Sequence, residues 1–329
     1  MRVLFIGGTG NISSASSELA INKGIELVHL NRGVSGNYSF KNIETIQCDI
    51  NNIEEARQKL KNEKFDAVVN WICFTPEQIK RDIELFRDIT EHYIFISSAT
   101  VYEKPPKHYI VTEKTHRSNP FWEYSQNKIK CETELEKAHN ETGFVYTIVR
   151  PSYTYGYTWI PTAFSALYYN PVYRIRNGKP IIVHGDGQSL WVMTHNTDLA
   201  KGLVGLLGNK KAFSEDFHIT SDEVLTWDQI HNIIGEVVNS KPNIVHIPTD
   251  FINKIDKATG DGLLGDKART FVFDNSKIKS VVPEFKATTL YKEGISRSIQ
   301  WFEEEQERMV LNPEYENLTE KILKAYGHF

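Results

Sequence analysis

The chain opens on an unbroken apolar run, Val3-Leu4-Phe5-Ile6, that passes directly into glycines. Similar short runs rich in Val and Ile recur at 26–30, 43–47, 67–70, 93–96 and 145–149, without polar alternation. With 2–6, they predict strands covered on both faces. Between them, apolar positions recur at helical spacing and predict helices over 14–23, 53–61, 77–90 and 123–140. Strand–helix alternation of this kind predicts an α/β fold built on a doubly wound parallel sheet.

The pattern changes after Arg150-Pro151. Aromatic residues cluster from Tyr153 to Tyr173 and the loops lengthen. A helix is expected after Asn196, through Asp198-Leu199-Ala200. Another is expected at Thr226, where Thr226 and Gln229 fit a capping box. A last amphipathic helix covers 290–305. The reading is a sheet domain over 1–150, to which elements return from about 181–222. A smaller, mainly substrate-binding region then covers 151–329.

Length and composition narrow the class. At 329 residues the chain suits about two domains, large enough to be stable without disulfides or metal. Against 42 acidic residues stand 38 Lys and Arg, a net charge of −4, so a general nucleic-acid-binding role is disfavoured. Cys48, Cys73 and Cys131 form no CxxC pair and none has a His at zinc spacing. An odd, unframed count points to reduced thiols, no metal and a cytoplasmic protein. No apolar run reaches the roughly 18 residues that span a bilayer, so no membrane partner is expected.

Chemistry enters at the first turn. The strand at 2–6 runs into Gly7-Gly8-Thr9-Gly10-Asn11-Ile12-Ser13 and then a helix. Gly7 permits a tight turn and Gly10 lets backbone approach a pyrophosphate. The helix start offers free N–H groups and a positive dipole end. Ser13 stands where a third glycine is common and is small enough for close packing. A bare tight turn is the alternative, but the position between first strand and first helix favours a dinucleotide. The second strand then ends in Leu30-Asn31-Arg32-Gly33, with no carboxylate to hold both ribose hydroxyls. Asn31 does not repel a 2′-phosphate and Arg32 can pair with one, so NADP is favoured over NAD. The alternative for Arg32 is a solvated surface charge. Asp49 and Ile50 follow the third strand; Asp49 either meets the adenine or caps the next helix.

A second constellation suits hydride chemistry. The fifth strand ends in Ile96-Ser97-Ser98-Ala99-Thr100-Val101-Tyr102, and Tyr124 and Lys128 stand at i and i+4 of the next long helix. Tyr124 would exchange a proton with a substrate oxygen, and Ser98 would hydrogen-bond that oxygen. Lys128 would hold the nicotinamide ribose and lower the phenol's pKa. As a base at neutral pH the phenol must fall by about three units from its usual value near 10. A surface Tyr and a solvated Lys are the alternative; the order of the motifs favours the catalytic reading.

In that order the chain resembles the extended short-chain dehydrogenase/reductase superfamily, in its NAD-dependent epimerase/dehydratase branch. The motifs are Gly7-Gly8-Thr9-Gly10, Asp49-Ile50, Ser98 through Tyr102, Tyr124 through Lys128, and Arg150-Pro151. Gly185-Asp186-Gly187, His195 with Asp198-Leu199-Ala200, and Asp274 through Lys277 follow. The resemblance implies a Rossmann domain, a bound nicotinamide cofactor, and catalysis by Ser98, Tyr124 and Lys128. It also implies that Pro151 and Ser152 lie near the nicotinamide. The GGTGxIS start and the NRG after the second strand are similar to bacterial relatives of chloroplast stem-loop-binding proteins.

The pattern departs where nucleotide-sugar members hold a diphosphate with two arginines. Here Trp191 stands four residues before His195, and Leu263-Leu264 lies before the later motif. Lost charge-assisted hydrogen bonds weigh against a nucleoside-diphosphate substrate. Lys267, Arg269, Arg174 or Arg176 would have to substitute. Tyr153, Tyr155, Tyr157, Trp159, Phe164, Tyr168 and Tyr169 either line an apolar pocket or pack the core. His195, just before a helix, is read as structural. The expectation is an NAD(P)-dependent oxidoreductase or epimerase/dehydratase for a small or sugar-like substrate. Its alternatives are a nucleotide-sugar epimerase and an RNA-binding or sensor protein on the same fold. In many relatives the helices expected at 77–90 and 123–140 pair across a homodimer, which is a possible partner here.

Overall fold

The computed structural model describes residues 1–33, 40, 43–164 and 167–327. The strands of the first half are β1 (Arg2–Ile6), β2 (Glu26–Asn31), β3 (Glu44–Gln47), β4 (Ala67–Asn70) and β5 (Tyr93–Ile96). They alternate with α1 (Ser14–Asn22), α2 (Ile53–Leu60), α3 (Pro76–Phe86) and α4 (Glu123–Thr142). Farther on come β6 (Ile110–Val111), β7 (Tyr146–Pro151), β8 (Tyr153–Tyr155), α5 (Asn170–Arg176), β9 (Pro180–His184), β10 (Leu190–Trp191), β11 (Met193–His195) and α6 (Asn196–Leu206). Then follow β12 (Glu215–Ile219), β13 (Leu225–Thr226), α7 (Trp227–Val237), β14 (Asn243–Ile247) and β15 (Val272–Phe273). No helix among the described residues is long and apolar enough to cross a membrane.

Seven strands form one parallel sheet in the order β12-β7-β5-β4-β1-β2-β3, which is the doubly wound arrangement expected. Successive residues of each strand feed opposite faces. Leu4, Ile6, Val28, Leu30 and Val68 join the core under α2, α3 and α4. Val3, Phe5, Leu27, Ala67 and Val69 join the core shared with α6. Both faces are therefore dry, which explains apolar runs without alternation. The chain reverses its order of addition between β1 and β4, and the crevice at a doubly wound sheet's switch point is where ligands bind.

Most boundaries agree with the pattern to within a few residues. The helix expected over 77–90 instead ends at Phe86, after which Ile89 and Thr90 bond back to its carbonyl. The chain must turn there for Thr90 to bridge to Phe65. The Thr226–Gln229 capping box is present at α7.

A second core lies beyond the sheet. Trp191, Trp227, Tyr155, Tyr291 and Ile295 are fully or almost fully buried together. Of the aromatic set after residue 150, Tyr155 and Tyr169 pack this core, while Trp159 faces the crevice.

Buried histidines make the fold acid-sensitive. Burial lowers His29, His92, His184, His195 and His218 from the ordinary 6.5 to about 4 each. In the unfolded chain they take up protons near 6.5, so between 6.5 and 4 the unfolded state binds more protons. Stability is then retained above 6.5 and lost as the pH falls toward 4. Urea unfolding at pH 7 and pH 5 should differ by at least about 2 kcal/mol, the value linkage assigns to one such histidine. Equal stability at the two values would contradict the buried neutral state.

Candidate active site

The crevice at the switch point is a cleft of about 760 Å³. Its floor is the turn from Gly7 to Ser13, with Asn31 and Arg32 at the end of β2 and Asp49 and Ile50 after β3. Gly8 has φ +84°, and a Cβ there would lie 2.7 Å from His29 Nε2. The Ser17 hydroxyl donates to the Gly8 carbonyl at 2.8 Å and lies 3.0 Å from the same His29 nitrogen, which locks the turn. Gly10 differs: a Cβ there would meet only Ser13 Oγ at 3.5 Å. Ser13 Oγ accepts from the Gly10 N–H at 2.9 Å and does not cap α1, whose first turn holds no acidic side chain. The dipole end of α1 therefore faces the cleft uncompensated by the chain's own carboxylates.

Asn11 ties this turn to the second half of the chain. Its side-chain oxygen accepts from the Gly156 N–H at 3.1 Å and the Thr158 hydroxyl at 3.0 Å. Its carbonyl accepts from Asn196 Nδ2 at 2.6 Å. Thr158 and Trp159 are thereby drawn into the cleft wall. At the other end, Asn31 Oδ1 accepts from the Gly33 N–H at 2.9 Å, and Arg32 lies exposed on the rim. Asp49 bonds the backbone and side chain of Asn51, while Asn52 caps α2. Asp49 is thus a wall residue and not a cap.

The opposite wall, Trp71, Ile72, Phe74 and Gln78, escaped the sequence reading. The available signal was position: these residues follow β4, which flanks the switch point. Two buried donors beside the cleft, Trp71 Nε1 and Asn11 Nδ2, have no partner among the described residues. A turn open at Gly10, an uncapped dipole end and orphaned donors together fit a dinucleotide.

The cleft ends at Ile96 and Phe74, and Lys128 lies directly beyond. Its ammonium is buried and donates to the carbonyls of Cys73 at 2.6 Å and Ile96 at 2.7 Å. Burial lowers its pKa to about 8. Tyr124, one turn earlier on α4, has its ring centroid 6.4 Å from that of Phe74 and 4.8 Å from that of Trp122. Burial raises the phenol to about 12, and a hydrogen-bonding contact with Ser98 pulls the other way. A phenol lowered toward neutrality is expected with Lys128 and an oxidised nicotinamide beside it; the protein's own groups alone raise it, so the phenol holds its proton at neutral pH. Pro151 ends β7, and Ser152 Oγ pairs with Thr194 Oγ1 at 2.8 Å. Neither lines the cleft. His195 accepts from the Thr197 N–H as the N-cap of α6.

The model of the NAD dependent epimerase/dehydratase family matches residues 3–219. The chloroplast stem-loop binding protein of 41 kDa b of Arabidopsis thaliana is 28% identical over 271 residues, 76% of this chain and 67% of that protein. The 2′-dehydrokanamycin reductase of Streptomyces kanamyceticus is 21% identical over 263 residues, 76% and 70% of the two chains. A solved epimerase structure from Methanothermobacter thermautotrophicus superposes with a TM-score of 0.75, at 19% identity and over 94% of each chain. That last likeness speaks to the fold.

The two glycines separate folding from binding. Gly10→Ala should leave thermal stability within about 1 kcal/mol, because the added methyl meets ordinary contact distances. It should weaken NADPH binding, followed by fluorescence, by at least about tenfold, because the methyl enters the pyrophosphate's approach. Gly8→Ala should destabilise the fold itself. Unchanged NADPH affinity in Gly10→Ala would remove the cleft's assignment.

Proposed function

The chain belongs to the NAD-dependent epimerase/dehydratase family, and from that membership we propose that it is an oxidoreductase that reduces the carbonyl of a small substrate lacking a nucleoside diphosphate. The observation that carries this reading is Trp191. Where the family's nucleotide-sugar members hold a diphosphate with arginine, the indole is buried, 5.8 Å from the Trp227 ring. Three of the four possible substitutes are committed elsewhere, and the fourth, Arg269, lies exposed. Arg174 is buried against Glu316 and Glu320, Arg176 pairs with Glu303, and Lys267 pairs with Asp266. Each missing charge-assisted bond forgoes about 1.5–3 kcal/mol. The Streptomyces relative is named as a reductase, of 2′-dehydrokanamycin, which is consistent with this reading.

A nicotinamide dinucleotide, when bound, supplies the hydride. Gly7, Thr9, Gly10, Asn11 and Ile12 would face its diphosphate, and Asp49 and Ile50 its adenine. Asn31 and Arg32 favour a 2′-phosphate, hence NADP over NAD. Lys128 spends two of its three N–H groups on carbonyls and keeps one for the ribose hydroxyls. Pro151 and Ser152 would border the nicotinamide. Tyr124, protonated at neutral pH, donates its proton to the substrate oxygen as that oxygen gains charge, and Ser98 holds the same oxygen. A protonated phenol is the form that a reduction uses. The net charge of −4 weighs against the nucleic-acid binding that the Arabidopsis relative's name brings to mind.

Oxidation of NADPH with a panel of small ketones and aldehydes tests the reading; conversion of a UDP- or dTDP-sugar would contradict it. Tyr124→Phe should bind NADPH normally and lose turnover by about 10²–10⁴-fold, the range of general acid catalysis. Arg32→Ala should raise the NADPH Kd by about tenfold and leave NADH unchanged. Because burial lowers Lys128, its charge is present below about 8 and lost above. Reduction should therefore decline as the pH rises through that value, and a rate that is flat to pH 10 would contradict the role of the ammonium.

A further inference from the structure

A buried cation beside the second core has no ion-pair partner among the described residues. Lys104 is 4% exposed. Its backbone N–H donates to the Ser118 carbonyl at 2.9 Å, which fixes the root of the side chain. Its ammonium lies 3.1 Å from the Phe271 ring centroid and 6.0 Å from that of Trp191. Among the described residues it meets aromatic faces and no oxygen acceptor; the charges acting on it are Asp266 and Lys267. Ring faces replace only part of the hydration an ammonium loses. Burial accordingly lowers Lys104 to about 7.

A second, independent observation lies beside it. Trp191 is 2% exposed and its buried indole N–H has no partner among the described residues. A buried donor left unpaired costs about 1–3 kcal/mol unless an acceptor arrives. The cluster is also continuous with the phenol. Trp191 neighbours Trp227, whose Nε1 donates to the Lys267 carbonyl at 3.2 Å. The Lys267 ammonium lies 6.0 Å from the Trp122 ring centroid and 4.9 Å from that of Tyr153. Trp122 in turn touches Tyr124. The carboxylate of Asp266 acts on Lys104, Tyr153 and Tyr124 alike. It sits in the π-helical turn Leu263–Lys267, a backbone form that clusters at functional sites.

Building on the reductase reading, we propose that Lys104 and the Trp191 indole N–H form a carboxylate subsite, so that the substrate is a carbonyl compound bearing a carboxylate on a flat or apolar skeleton. The charge balance selects the carboxylate. Lys267 is neutralised by Asp266 at 2.8 Å and Arg269 lies exposed, which leaves Lys104 as the buried cation open to one negative charge among the described residues. The rings of Phe271, Trp122 and Tyr153 suit the apolar skeleton.

The test uses the full chain and sodium benzoate, with acetate, phosphate and sulfate alongside, followed through the indole ¹H–¹⁵N signals. The Trp191 signal is the one that Trp191→Phe removes. The wild-type Trp191 signal should shift saturably with benzoate. Lys104→Met should raise the benzoate Kd at least about tenfold, the loss expected for a charge-assisted hydrogen bond. Trp191→Phe, which keeps the ring and the ammonium, should weaken binding by a smaller factor in calorimetry, and it decides the matter if Lys104→Met does not fold. Absence of a wild-type shift, unchanged affinity in either variant, or tighter binding of phosphate or sulfate than of benzoate would overturn the subsite. NADPH binding by the same samples keeps the two readings apart. Benzoate binding without NADPH binding defeats the reductase reading alone, and NADPH binding without benzoate binding defeats the subsite alone.

Discussion

Lys128 carries a positive charge into the interior, and a buried ammonium is tolerable only where oxygen replaces water. The carbonyls of Cys73 and Ile96 supply that oxygen. One follows β4 and the other ends β5, so a single side chain on α4 is pinned to two neighbouring strand ends at once. Four residues on, Glu132 repeats the device. It accepts from the Ser97 hydroxyl at 2.6 Å and pairs with the buried Arg150 of β7 at 2.7 Å. Together these contacts fix the rotation of α4 on the sheet. With that rotation set, Tyr124 comes to rest against Ser98. The polar groups along α4 are therefore a register device as much as a source of chemistry.

The sheet was legible in the amino-acid order because both of its faces are buried. Runs such as Val3 to Ile6 admit no other placement, and the glycine turn follows from them. What escaped depends on chain segments far apart. Thr158 reaches the cleft because Asn11 bonds to residues 145 and 147 positions away, which no local pattern encodes; Trp159, one of the aromatics offered as pocket-lining, follows it there. Trp71 and Phe74 look like the continuation of an apolar strand until the strand order shows that β4 flanks the switch point. β12, Glu215–Ile219, pairs only with β7 at the sheet edge and carries Glu and Asp, so its composition hides it. The order of the motifs put Tyr124 and Ser98 toward one substrate oxygen, but the direction of the phenol's shift in the chain alone was not visible. Burial, a property of the folded state, outweighs the serine contact.

The two halves of the chain divide the work by their polarity. The first half presents backbone: open N–H groups, a helix end and a turn held from beneath by His29 and Ser17. Such a surface suits a cofactor's phosphates. The second half presents aromatic rings and a few charges, most of them already paired. Trp191, Trp227, Phe271 and Tyr153 pack together in the second core, and Arg174, Arg176 and Lys267 are held by carboxylates.

The most direct measurement is a crystal structure of the protein with NADPH, read at one distance. The account predicts the nicotinamide C4 beyond Ile96 and about 3 to 4 Å from where a carbonyl carbon held by Tyr124 and Ser98 would sit, the separation of a reactive pair. A nicotinamide directed away from Tyr124, or a dinucleotide bound outside the Gly7–Ser13 turn, would contradict it.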